Sequence, residues 1–296
     1  MLLHLGQKPT MFISSADAAE EALTKHDSYF VDRPKSTFIG RLTYNFKDMT
    51  FSPYGEYWRQ ARFIAVSHLL SKKKVQSFRS VREEEIARMM KNLRESCVSG
   101  AIVCLSEAFA TLTNDIISLV AIGKRVAIEI DEYLDSIFEK ALKSQEMINL
   151  SIGNKLHRNL LDILLGLQRE KTTDIDLDLD LDSIKAIILS VGIRDFGKKR
   201  KNFGPFLNST VDLKKGQFVD FNNEQFAFSP FGYGRRTCPG SGFALVIAEL
   251  TIANLIRNFD FALPNGGKPE ELDMTEVFGM MMPRKIPLLV NVSLPN

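Results

Sequence analysis

The stretch Phe228-Ser229-Pro230-Phe231-Gly232-Tyr233-Gly234-Arg235-Arg236-Thr237-Cys238-Pro239-Gly240 constrains this chain more than any other. It is a tight, glycine-rich loop that presents one cysteine. Gly232 and Gly234 let the backbone take left-handed or bulged conformations that other residues resist. An apolar pattern after Ser241 predicts a helix directly behind the loop. Its positive N-terminal end would face the sulfur and favour the thiolate. Arg236, close by, is a fixed cation able to hold a carboxylate of whatever the sulfur binds.

These residues carry a resemblance. Phe231, Gly234, Arg236, Cys238 and Gly240 match F-x-x-G-x-R-x-C-x-G, the haem-ligand signature of the cytochrome P450 monooxygenases. The fuller P-F-G-x-G-R-R-x-C-P-G form is similar to the plant microsomal branch. The resemblance implies that Cys238 is the axial thiolate of haem b (iron protoporphyrin IX), a ligand that favours O–O cleavage. The plain alternative is a buried cysteine in an ordinary loop. Two other readings fail on spacing. A c-type haem needs C-x-x-C-H, and a dinucleotide loop needs a third glycine where Thr237 stands.

A chain of 296 residues with a net charge of +2 fits one globular domain and does not suggest a nucleic-acid partner. Three cysteines, Cys97, Cys104 and Cys238, without a C-x-x-C pair argue against a disulfide framework or a zinc site. Met1 to Leu5 is far short of the roughly 20 apolar residues of a membrane span. The microsomal branch carries an N-terminal anchor, and none is visible here.

The chain divides as follows. Leu2–Leu5 and Met11–Ser14 read as a hairpin around Gly6-Gln7-Lys8-Pro9. Ser14 is expected to cap a helix over Ala18–Lys25. Phe30-Val31-Asp32-Arg33-Pro34 matches the family's F-x-x-R-P. The loop from Lys35 to Ser52 reads either as a surface loop or, by the resemblance, as part of the substrate pocket. In the following helix, Trp58 and Arg62 lie four apart on one face, and an indole N–H beside a guanidinium suits two acidic oxygens. The resemblance implies that Trp58 and Arg62 hold a haem propionate, as W-R-x-x-R does in the family. Glu85-Ile86-Ala87-Arg88 is formally the family's E-x-x-R but falls in the wrong place, and a surface ion pair explains it better.

Helices are also expected over Leu105–Val120, Glu129–Lys143, Leu160–Glu170, from Asp182 onward, and over Gly242–Phe259. The acidic alternation Asp174 to Asp182 reads as a solvated loop. The basic run Lys198-Lys199-Arg200-Lys201 reads as exposed. The helix from Asp182 resembles the start of the family's oxygen-binding helix. It should continue into A-G-x-D-T-T, the acid–alcohol pair, but the chain reads Ser190-Val191-Gly192-Ile193-Arg194-Asp195. The P-E-R-F box is reduced to Phe203-Gly204-Pro205-Phe206. Phe278-Gly279-Met280-Met281-Met282 and Ile286–Val292 resemble the terminal β-hairpin.

The expectation is a mainly α fold with a small β part, one cytochrome P450-like haem-binding domain over 1–296, with internal blocks missing. The resemblance implies a haem-thiolate monooxygenase that oxidises a small apolar organic compound. Its electrons would come from NADPH-cytochrome P450 reductase, and its place would be the endoplasmic reticulum membrane. A truncated, non-catalytic relative and a haem-free interaction module stay open as alternatives.

Overall fold

A computed structural model describes residues 1–5, 8–35, 37–125, 159–170, 179–192, 231–277 and 284–295. The expected helix at Glu129–Lys143, the basic run at 198–201, the Phe203–Phe206 box and the Phe278–Met282 tip lie outside these residues.

The chain opens with a hairpin, β1 (Leu2–Leu5) and β2 (Lys8–Met11), antiparallel with Leu2 opposite Met11. The second strand therefore starts earlier than its apolar run suggested and takes in Pro9, opposite His4. Pro9 lacks an N–H, which an edge strand tolerates. Helix α1 (Ala16–Glu20) is capped by Ser15, not Ser14: the Ser15 hydroxyl accepts the Ala18 N–H at 3.3 Å. The helix runs on as a wider turn, Glu21–Lys25.

Next come α2 (Thr37–Leu42), α3 (Glu56–Ile64), α4 (Lys72–Ser77), α5 (Arg79–Ser99) and α6 (Leu105–Ile122). Then follow α7 (Leu160–Glu170), α8 (Leu181–Gly192) and α9 (Ser241–Asn258). Helices α5 and α6 end at Gly100 and Gly123, both left-handed at φ +66° and +73°. Each glycine N–H closes on the carbonyl four residues back, a stop that needs no Cβ.

Helices α5 to α8 pack on one another, and α9 packs on α4 and α5. Met89, Leu93, Ile116, Leu164, Ile187 and Leu255 meet in the shared core. Helix α6 has the length and composition of a membrane span, but half of it is buried inside this bundle. Helix α9 is largely apolar; Phe243, Ile247, Thr251 and Leu255 are buried, whereas Ile252 and Ile256 are exposed. A three-stranded sheet of β3 (Val103–Cys104), β5 (Leu289–Ser293) and β4 (Asp260–Ala262) closes one end of the bundle.

Two expectations about charge are corrected. Glu85 is not part of a surface pair. It is 2% exposed and takes guanidinium hydrogen bonds from both Arg88 and Arg125, and Arg88 also bonds Asp115. Burial alone would raise the Glu85 pKa; the bonds from Arg125 and Arg88 outweigh it and hold the carboxyl below its ordinary value. Nor is Asp180 simply solvated. It accepts the Ser183 N–H and hydroxyl at 2.8 and 2.5 Å and pairs with Lys47, so it caps α8.

Candidate functional site

The cysteine loop takes its shape from its glycines. Gly232 and Gly234 sit at φ +70° and +69°, the left-handed region expected of them. At Gly234 space matters too, because a Cβ there would stand 2.7 Å from the carbonyl oxygen of Leu23. The loop closes where the Cys238 N–H donates to the Phe231 carbonyl at 2.9 Å. Helix α9 starts three residues on, with Gly240 at its N-cap. The Cβ position of Gly240 is 3.8 Å from the Cys238 Sγ, so the first turn of the helix lies against the sulfur. Cys238 is an exposed free thiol.

Helix α3 brings the second half of the site to this loop. Trp58 is 3% exposed and has two guanidiniums beside its ring, Arg236 at 4.5 Å and Arg62 at 5.4 Å. Arg62 donates to the Thr237 carbonyl at 2.8 Å, one residue before the cysteine. The structure thus gathers Trp58, Arg62, Arg236, Phe231, Gly234, Gly240 and Cys238 into one place.

The hydrogen bonds differ from what the residue types suggested. The Trp58 indole N–H donates to the Met49 carbonyl at 3.0 Å. Arg236 donates to three carbonyls: Val31 at 2.8 Å, Ser52 at 2.7 Å and, weakly, Met49 at 3.4 Å. These donors are engaged by backbone oxygens of residues 31 to 52.

The segment from 43 to 52 is therefore no plain surface loop. Thr43, Asp48, Met49 and Ser52 are buried. The Asp48 Oδ2 accepts the N–H groups of Thr50 and Phe51 at 2.8 and 2.9 Å. The Met49 N–H donates to the Ser190 hydroxyl on α8 at 2.9 Å, and that hydroxyl donates on to the Ala186 carbonyl. The turn starts with Tyr44, Asn45 and Phe46, all left-handed at φ 49°, 59° and 63°. Left-handed backbone costs a non-glycine residue about 1–2 kcal/mol. Gly40 makes room for the turn: a Cβ there would meet the Phe46 ring at 2.9 Å.

Two further residues belong to the site. Arg33, from the F-x-x-R-P match, donates to the Thr50 carbonyl at 3.3 Å. Arg235 pairs with Asp27 at 3.0 Å and donates to the Tyr54 hydroxyl at 3.0 Å, tying the cysteine loop to the N-terminal helices and to the segment just before α3. Its place in the doubled arginine was the signal for it.

The electrostatics show an excess of positive charge. Among the described residues, none of Arg33, Arg62 and Arg236 is ion-paired with a carboxylate. Burial lowers the pKa of all three, and that of Arg236 falls to about 10, with Arg33 adding to the drop. Asp32 and, more weakly, Asp48 supply opposing charge to Arg236; burial raises the pKa of Asp48 despite the bonds it accepts, and its Oδ1 is buried without a partner.

An exposed thiol at a helix N-terminus, beside half-buried cations without carboxylate partners, suits a metal carried on a dianionic ligand. In charge and donor type the residues fit haem. Two surface hollows lie elsewhere. One, of about 380 Å³, is lined by Met11, Ile13, His26 and Phe30. The other, of about 180 Å³, lies between α5 and α6 beside Glu85 and Arg88.

Comparison with known proteins gives the same reading. The family model described as Cytochrome P450 matches residues 1–191 and 206–290. The chain is 30% identical to Cytochrome P450 71A2 of Solanum melongena, covering 98% of this chain and 85% of that protein. It is 29% identical to tabersonine/lochnericine 19-hydroxylase of Catharanthus roseus, over 97% and 85%. It is also 29% identical to norfluorocurarine oxidase of Strychnos sp, over 99% and 85%. The alignments span 431 to 443 positions, more than this chain has residues, so blocks of each relative are skipped. A zebra fish cytochrome P450 structure with abiraterone superposes with a TM-score of 0.71 at 17% identity, covering all of this chain and 96% of that one.

Proposed function

This chain belongs to the cytochrome P450 family, and from that premise we propose that Cys238 ligates the iron of haem b for the oxidation of a small apolar organic substrate. The family's members are monooxygenases that use haem iron, a redox partner and organic substrates. The observation that carries the reading is the exposed Cys238 thiol lying against the first turn of α9, with Arg62 bonded to the residue before it.

Haem iron, when bound, supplies the activation of O₂ and the insertion of one oxygen atom into the substrate. The protein's own residues do the rest. The first turn of α9 and the Cys238 N–H bond to the Phe231 carbonyl fix the position of the sulfur. Arg236, Arg62 and Trp58 are the residues that would hold the carboxylates, with Arg33 adding charge. Phe231, Gly234 and Gly240 shape the loop. The electron donor is NADPH-cytochrome P450 reductase, docking on the cysteine side. The place is the endoplasmic reticulum membrane, as in the microsomal branch.

One observation favours a second reading, a relative that holds haem without turnover. At the end of α8 the chain has no acid–alcohol pair, and the Ser190 hydroxyl both accepts from Met49 and donates to Ala186. Iron could then be ligated while proton delivery fails.

The test is the spectrum of the protein reconstituted with haemin, reduced and exposed to CO. A strongly red-shifted Soret band is expected, lost in Cys238→Ala. An unchanged spectrum in that variant sinks the ligand assignment. Substrate-dependent NADPH consumption with reductase then separates the two readings.

A further inference from the structure

The donors best suited to carboxylates are engaged by the protein's own carbonyls. Met49 accepts from Trp58 and Arg236, Ser52 from Arg236. A neutral carbonyl is the weaker acceptor: charge-assisted bonds to a carboxylate are roughly twice as strong. The turn that supplies the carbonyls also carries two liabilities, the left-handed run Tyr44-Asn45-Phe46 and the orphaned Asp48 Oδ1. It is held to the rest of the fold by the Met49 N–H on Ser190 and the Tyr57 hydroxyl on the Lys47 carbonyl at 2.6 Å. A stronger acceptor is therefore set against a turn with conformational cost built in.

We infer that residues 43–52 form a carbonyl latch, closed over Trp58 and Arg236 in the absence of a dicarboxylate and displaced when a porphyrin dicarboxylate binds. Loading is then a two-step exchange in which opening precedes capture. This rests on the haem reading, but the latch can be measured without haem. Trp58 is the single tryptophan, so all tryptophan emission reports the closed face.

Two variants push the latch in opposite directions. Ser190→Ala removes the acceptor of the Met49 N–H and loosens it. Asn45→Gly removes the left-handed penalty from the closed turn and tightens it. With no haem added, acrylamide should quench Trp58 more readily in Ser190→Ala and less readily in Asn45→Gly. In stopped flow with haemin, the rate of Soret growth should level off as haemin rises. That plateau should be roughly fivefold faster in Ser190→Ala, one hydrogen bond's worth, and slower in Asn45→Gly. Haemin dimethyl ester, which lacks carboxylates, should not reach the same final state.

A rate linear in haemin and equal in all three proteins overturns the latch, as does quenching that both variants shift in one direction. Full loading by the dimethyl ester overturns it too. Absence of any Soret band instead fells the haem reading, and the quenching result then still decides whether the turn opens.

Discussion

The guanidinium of Arg236 lies 4.5 Å from the centre of the Trp58 ring, and the two residues share the Met49 carbonyl as acceptor. Stacking and shared bonding make one unit of the cysteine loop, α3 and the turn before it. Lysine can replace the charge but not the flat fork that reaches three carbonyls. Arg236→Lys should lower stability by about 2 kcal/mol and speed haem loss, measured by urea titration and by transfer to an acceptor protein. Unchanged values in both would mean the fork is dispensable.

Gly234→Ala meets two obstacles at once. The backbone is left-handed, and the new Cβ would stand 2.7 Å from the Leu23 carbonyl oxygen. A cost of about 2–3 kcal/mol follows, with a reduced CO spectrum shifted away from the thiolate form. Gly232 has the same φ but open space around it, so Gly232→Ala should cost about 1 kcal/mol.

Glu85→Ala leaves two arginines without their buried partner. Arg88 and Arg125 are 41% and 53% exposed, so water can take up their charge and the cost is that of the lost charge-assisted bonds, about 1.5–3 kcal/mol, read as a fall in thermal midpoint. The double variant with Arg125→Ala should cost less than the sum of the single changes, because both remove the same bond. The Glu85 pKa is lowered on folding, so its contribution is present at neutral pH and is lost as pH falls through its folded value.

Asp48 shows the opposite dependence. Burial raises its pKa on folding, so the folded state holds a proton that the unfolded state has released. This contribution is greatest in acid and fades as pH rises through the raised value. Asp48→Asn removes that titration while keeping an acceptor for Thr50 and Phe51. The variant should gain stability relative to the natural protein as pH climbs from acid towards neutrality. A difference that does not vary with pH would show that the carboxyl titrates normally.

Much of this architecture was legible in the residues. Gly232 and Gly234 announced their left-handed turns because few other residues accept them. The apolar periodicity of Leu105–Val120 gave α6 to within two residues, since burial enforces the pattern. That Trp58, Arg62, Arg236 and Cys238 stand together was implied by the family resemblance of their two motifs. What stayed hidden was set by partners far along the chain. Glu85 looked like a surface charge because Arg125 and Asp115 come from and beyond α6. The Met49 and Ser52 acceptors were invisible for a simpler reason: a backbone carbonyl leaves no letter in the sequence. Ser15 took the cap from Ser14 because adjacent serines offer the same chemistry and only the entry angle decides.

The N-terminal hairpin stands apart in one respect. Strands β1 and β2 pair only with each other among the described residues, in a sheet separate from the one that closes the bundle. A ribbon of two strands is marginal in water. Its amide protons should exchange with deuterium through local opening, well before those of α5 and α6. Native-state exchange would then sort the molecule into at least two cooperative units. Because Leu23, on the turn continuing from α1, lies against Gly234, exchange there would show whether loosening at the N-terminus reaches the cysteine loop.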